Sequence, residues 1–127
     1  MKCLHIITPV KDSIDSTLET VKAIMESDIL VPFTYTVYND FSTEENTHRL
    51  EEAARQWNFR LVNLSDLTDH PSPNYLLVLQ TAQKEAIEAD AGLLIVESDV
   101  IVKKNTLQSL YNLSLIHISE PTRHLRI

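Results

Sequence analysis

Apolar residues follow two rhythms along this chain. Short, nearly unbroken runs, "LHIIT" (Leu4–Thr8), "FTYTVY" (Phe33–Tyr38), "FRLVNL" (Phe59–Leu64) and the run from Gly92 to Val96, predict buried strands. Between them, apolar residues recur at helical spacing. Ile14, Leu18, Val21, Ile24 and Met25 share one face of a helix of about 13 residues, capped by Asp12 or Ser13. Ser42 with Glu45 forms a capping box that opens a second helix, striped by Leu50, Ala53, Ala54 and Trp57. A third helix is predicted over 75–89, with Leu76, Leu79, Ala82, Ala86 and Ile87 facing inward. Pro9 closes the first strand, "SDLTDHPSPN" is a proline-broken loop, and Gly92 leads into the fourth strand. A last helix begins near Asn105, with Leu107, Leu110 and Tyr111 on its inner face.

The order β-α-β-α-β-α-β with near-continuous apolar strands predicts an α/β fold, a mostly parallel sheet with helices on both faces. Such sheets bind ligands beyond the carboxyl ends of their strands. Three polar clusters fall at those ends: "PVKDS" after the first strand, "NDFS" after the second and "ESD" after the fourth. Each alone is ordinary loop chemistry, but together they converge on one edge of one sheet.

Composition narrows the chemistry. The sequence holds one glycine, Gly92, which excludes a P-loop or a dinucleotide fingerprint, since both need several glycines for backbone amides to approach phosphate. One cysteine, Cys3, excludes an internal disulfide and a cysteine zinc site and suits a reducing compartment. The net charge of −7, with no block of lysine or arginine, argues against nucleic acid and anionic membranes as partners. No apolar run approaches the roughly 20 residues of a membrane helix. "MKCLHIITPV" is too short in its apolar part for a signal peptide, so a cytoplasmic protein is expected. The 127 residues suffice for one small domain. His5 lies on a strand and reads as structural, while His48 and His70 lack ligand spacing.

The stretch "AGLLIVESDVIV" places Glu97 and Asp99 at the end of an apolar run. Carboxylates two apart on a strand share a face, so either the strand has surfaced there or the pair holds a cation.

In this order, "IITPVKDS", "TVYNDFSTEENT" and "LLIVESDV" resemble the nucleotide-sugar-binding half of family 2 glycosyltransferases, which have the GT-A fold. The resemblance covers residues 3 to 112. Asn39 stands where the family's second motif usually starts with an acid, Glu44 replaces that motif's last aspartate, and Glu97 replaces the first acid of Asp-x-Asp. The helix near Tyr75 lacks the family's usual Asn-x-Gly approach. The resemblance implies an inverting transferase that moves a sugar from a nucleotide-sugar, a UDP-sugar among the candidates, to an acceptor hydroxyl on a glycan or lipid-linked glycan. It implies that Pro9 and Val10 line the base pocket, and that Asn39 and Asp40 form the base-recognition segment. Asp40 would accept a base N–H such as the imide of uracil, or serve only as a turn residue or helix cap. Asp12 is either a cap or a ribose contact. Ser42 fits a cap better than a ligand contact, and Lys11 fits a solvated charge. With no glycine loop to meet a diphosphate, Mg²⁺ or Mn²⁺ is the natural counter-charge, bound by Asp99, with Glu97 nearer the ribose or acting through water. No catalytic base is assigned.

Residues 113–123, "LSLIHISEPTR", resemble the conceptual translation of a transposase adapter used in sequencing libraries, with "HLRI" as read-through. On that reading, residues 1–112 are the donor-binding part and 113–127 a non-native tail that packs poorly. The last helix would decay soon after Asn112, with "SEPTR" stopping any continuation. The acceptor half with its base would be missing. An ordinary final segment is the alternative, with "LSLIHI" as a strand at a sheet edge. Two other functions stay open. A sugar-phosphate nucleotidyltransferase would need a glycine-rich loop, which is absent. A non-catalytic α/β interaction domain of receiver type would want an acid pair near the first strand, where Asp12 stands alone.

Overall fold

The computed structural model describes residues 3–116 and 124–126. Its elements run β1 (Cys3–Val10), α1 (Ile14–Met25), β2 (Phe33–Asn39), α2 (Glu44–Trp57), β3 (Arg60–Asn63), a 3₁₀ turn (Leu64–Asp66), α3 (Tyr75–Glu88), β4 (Ala91–Ile95), α4 (Thr106–Ile116) and β5 (His124–Arg126). The strands form one sheet, ordered β3-β2-β1-β4-β5, and every pairing is parallel. The α/β architecture expected from the apolar rhythm is therefore the one observed.

Alternation along the strands sorts the core into two layers. Leu4, Ile6, Tyr35, Val37 and Leu94 point to one face, where α1, α2 and α4 supply Val21, Ile24, Leu50 and Leu107. Ile7, Tyr38, Leu93 and Ile95 point to the other, under Val78, Ala82 and Ala86 of α3. Helices thus cover both faces, as a buried parallel sheet requires.

Several local expectations need correction. Pro9 does not close β1 but lies within it, opposite Tyr38. The ladder explains why. Val96 N–H donates to Ile7 O at 2.9 Å and Asp40 N–H to Val10 O at 2.8 Å, so odd residues of β1 face β4 and even ones β2. Position 9 faces β4 where that strand has already ended at Ile95, so proline's missing N–H forfeits no ladder bond. Gly92 does not lead into β4 but sits inside it, opposite Leu4. The Ser42–Glu45 capping box is not the start of α2. Thr43 is the N-cap, its Oγ1 accepting from Asn46 N–H at 3.2 Å, and Ser42 Oγ instead accepts from Asp12 N–H at 2.9 Å. Ser13 holds the cap position of α1 without a side-chain bond, and Asp12 caps α2 rather than α1.

On α3, Leu76 is 67 % and Ile87 56 % exposed, against the expectation that both face inward. The buried stripe is Val78, Ala82 and Ala86, and at about 100° per residue Leu76 and Ile87 lie roughly half a turn away from it. α4 runs four residues beyond Asn112, to Ile116, where a helix ending soon after Asn112 was expected; nothing between Asn112 and Ile116 breaks a helix. The described edge strand is His124–Arg126, pairing Leu93–Ile95, whereas the first four residues of "LSLIHI" lie in α4 and its last two lie outside the described residues. "SEPTR" lies outside the described residues.

Candidate functional site

The site begins with two backbone irregularities. Asp12 and Phe41, just beyond β1 and β2, take left-handed conformations at φ 62° and 61°. With no glycine available in either loop, side chains must hold them there. Asp12 does so at both ends. Its Oδ1 accepts from Thr43 N–H at 2.6 Å and Asn46 Nδ2 at 3.2 Å, and its Oδ2 from Lys11 Nζ at 3.2 Å. The Thr43 amide, then Asn46, hold the Asp12 carboxyl below the usual carboxylate range. Lys11 Nζ also donates to Phe41 O at 2.6 Å. These bonds lock the β1–α1 turn to the start of α2.

Asp40, the next residue on β2's exit, is 8 % exposed. Its Oδ2 accepts from Asn74 N–H at 2.8 Å and Ser72 Oγ at 2.9 Å, and its Oδ1 from Asn74 Nδ2 at 2.9 Å. The carboxylate thus caps α3 from another segment, where unpaired amides and the helix dipole favour an anion. A carboxylate has about four acceptor positions, so three bonds leave one for an incoming N–H. Asn74 also donates from Nδ2 to His70 O at 2.9 Å, closing the end of the 65–74 loop that the Asp40 bonds hold to the sheet edge.

Asn39 goes elsewhere. Its Nδ2 donates to Thr47 Oγ1 and Asn63 Oδ1, both at 2.9 Å, and its Oδ1 accepts from Ser42 N–H at 3.2 Å. It is buried and ties β2 to α2 and β3, a positioning task. Glu97 follows β4, half-buried, and accepts from Tyr75 Oη at 3.5 Å. Asp99 is exposed on a turn closed by Val100 N–H to Glu97 O at 3.2 Å. The two acids are therefore not on a strand face, because β4 has ended at Ile95 before either is reached. Thr20 Oγ1 of α1 pins this turn through Ser98 O at 3.1 Å.

These segments enclose a cavity of about 220 Å³ at the carboxyl ends of β1, β2 and β4. Pro9, Val10, Lys11, Asp40 and Glu97 line it, joined by Ser72, Pro73, Tyr75 and Val78. Of the residues proposed from sequence, Pro9, Val10, Asp40 and Glu97 thus meet, whereas Asp12, Asn39 and Asp99 are not among its walls. Sequence reasoning missed Ser72, Asn74 and Tyr75, since the 65–74 stretch reads only as a polar loop. The available signal was a buried-strand acid, Asp40, with no cation nearby in sequence to meet it. Among the described residues no group of three or more His, Cys, Asp or Glu gathers as a metal site.

A parallel sheet flanked by helices, with a polar cleft at its carboxyl edge, defines an α/β fold. Among solved structures the chain is similar to S. aureus TarS 1-349, with TM-score 0.62 and 20% identity over 91% of this chain and 33% of that one. The same TarS piece in complex with UDP-GlcNAc gives TM-score 0.62 and 22% identity over 91% and 32%. A further structure of S. aureus TarS gives 0.61 and 21% over 91% and 20%. At these identities the likeness is one of fold, and the chain spans about a third of the TarS 1-349 structures. No family model matches the sequence, and no curated protein matches it. No helix among the described residues is long and apolar enough to cross a membrane.

Proposed function

We propose that this chain is the nucleotide-sugar-binding part of an inverting glycosyltransferase of family 2 type with the GT-A fold. One observation carries the reading: Pro9, Val10, Asp40 and Glu97, distant in sequence, line one cleft at the sheet's carboxyl edge. At about 220 Å³ the cleft is smaller than the roughly 300–1,000 Å³ that encloses a drug-sized ligand, so it takes a base and leaves sugar and diphosphate along the open edge. Pro9 and Val10 supply apolar contact, and the remaining acceptor position of Asp40 takes one base N–H, which suits the imide of uracil. Asp12 and Asn39 act by holding the turns in place. Glu97 and the exposed Asp99 present oxygen donors at the edge where the diphosphate would lie.

Two carboxylates are too few to enclose a cation but suit Mg²⁺ or Mn²⁺ shared with phosphate oxygens, and such a cation would supply counter-charge for the leaving diphosphate. In the full reaction an acceptor hydroxyl, on a glycan or lipid-linked glycan, forms the new bond to the anomeric carbon. The bond to the diphosphate breaks, and a base outside the described residues takes the hydroxyl proton. The single cysteine, Cys3, fits a cytoplasmic setting. Residues 113–127 are, on the same proposal, a non-native tail.

Calorimetric titration of UDP into the longest available parent chain, with Mn²⁺ and then with chelator, tests this. Saturable binding that the chelator weakens is expected. If no nucleoside diphosphate binds in a metal-dependent way, the chain is a non-catalytic α/β domain instead.

A further inference from the structure

Tyr75 is held from both sides of the cleft at the carboxyl edge. It opens α3 directly after Asn74, whose amide and side chain both bond Asp40 beyond β2. Its hydroxyl reaches the other side, where Oη lies 3.5 Å from Glu97 Oε1 beyond the end of β4. In the sheet order the end of β1 lies between those two anchors. Pro9 sits near that end, and alternation along β1 puts its side chain on the α3 face, as it does Ile7. Pro9 and Tyr75 both line the cleft, and among the described residues of its lining Tyr75 is the only aromatic. The contact to Glu97 is long for an O–H···O bond, so it aims the ring more than it stabilises the fold. Tyr75 is half-buried yet takes no part in the core layer beneath α3, which Val78, Ala82 and Ala86 fill with Leu77 and Leu79 against them. Packing therefore does not account for an aromatic side chain at this position.

We propose that Tyr75 is the residue on which the base of the nucleotide stacks. The proposal rests on the donor-site reading above and gives it a specificity-determining residue that no sequence motif marked. A planar heterocycle gains from offset stacking on a phenol ring, whereas sugar and phosphate present no such face. Pro9 adds C–H surface in the same cleft, and Asp40 takes an N–H at the base edge, so face and edge of one ring are met by different residues. The ring is tethered at Glu97 before any ligand arrives, and that lowers the cost of ordering it on binding.

The test uses the same parent chain as the UDP titration, with UDP and Mg²⁺, a diamagnetic ion that keeps NMR lines sharp. The uracil ring protons should move upfield on binding, as protons over an aromatic face do. Tyr75→Leu keeps an apolar side chain that suits a helix, and should raise the UDP Kd about five- to hundredfold with the upfield shift lost. Tyr75→Phe keeps the ring and drops only the hydroxyl, so binding within about threefold of the parent is expected, with the shift retained. Urea melts check that both variants fold, and the parent and Tyr75→Phe decide the matter even where Tyr75→Leu does not. If the uracil protons of bound UDP stay unshifted, if Tyr75→Leu binds as well as the parent, or if Tyr75→Phe loses as much as a folded Tyr75→Leu, the ring does not stack the base. The proposal then fails while the donor site stands. A parent chain that binds no nucleoside diphosphate overturns both.

Discussion

Asp40 and Asn74 show how a single pair can organise a sheet edge. The carboxylate is almost out of solvent, yet it satisfies the amide of Asn74, the N-cap residue of α3, together with the Asn74 side chain and Ser72. Asn74→Ala would leave the Asp40 Oδ1 bond unmade and remove the bond to His70 O that closes the end of the 65–74 loop. A loss of about 1–3 kcal/mol in urea unfolding is expected, as for a buried hydrogen bond left without its partner. Asp99 is the contrasting case. Asp99→Asn should leave stability within about 0.5 kcal/mol, since the side chain is exposed on a turn. It should weaken metal-dependent UDP binding in the intact parent. If instead it lowers stability and leaves binding per folded molecule unchanged, Asp99 is structural. His5 carries a pH signature. Burial lowers its pKa from 6.5, against the opposing pull of Glu85 and with Arg60 adding to the fall. The unfolded chain therefore takes up the proton first as pH drops below 6.5, and stability should decline from about pH 7 toward pH 5. Denaturant melts of His5→Gln should show a flatter profile over that window.

At the scale of elements, the starts of the helices are tied across the fold rather than within themselves. α2 uses its own Thr43 as cap but also borrows Asp12, while α3 uses Asp40 in place of a local side chain. Thr43→Ala should cost about 1 kcal/mol through the lost cap. Its effect should be non-additive with Asp12→Ala, because both act on the first turn of α2 and neighbours in one network couple. A double-mutant cycle by chemical denaturation measures this, and strict additivity would show the two caps to be independent. This borrowing explains why the local capping pattern misplaced the start of α2. Ser42 has the right chemistry for a cap, but Asp12 N–H reaches it first.

Across the whole molecule, the carboxyl edge of the sheet gathers Pro9, Val10, Asp40 and Glu97 around one cleft. The described end of the chain adds β5 beside β4, which protects an otherwise open strand edge. Whether residues 113–127 are native is decided by the coding DNA. Last codons that spell the adapter are the expected result. Codons that do not, or related genomic reads continuing with the same tail, would make the segment a native part of the protein.

Much of the architecture was legible from the chain itself. Period-two and period-3.6 apolar patterns are local, and unbroken apolar strands leave a parallel, two-sided sheet as the consistent solution. Three polar clusters at the strand ends pointed to the carboxyl edge of the sheet, where a cleft lies. What the pattern did not determine was rotation and partnership. Asn74, at the start of α3, meets Asp40 from 34 positions away, a partnership no local pattern announces. Which acids line the cleft depends on where β4 stops pairing, and that is set by its neighbours rather than by its own residues. The meeting of His5, Arg60 and Glu85 at the amino end follows from strand order and helix placement. Periodicity is written in the sequence because each residue's neighbours along the chain set it. Contacts between distant segments exist only once the fold has chosen which faces meet.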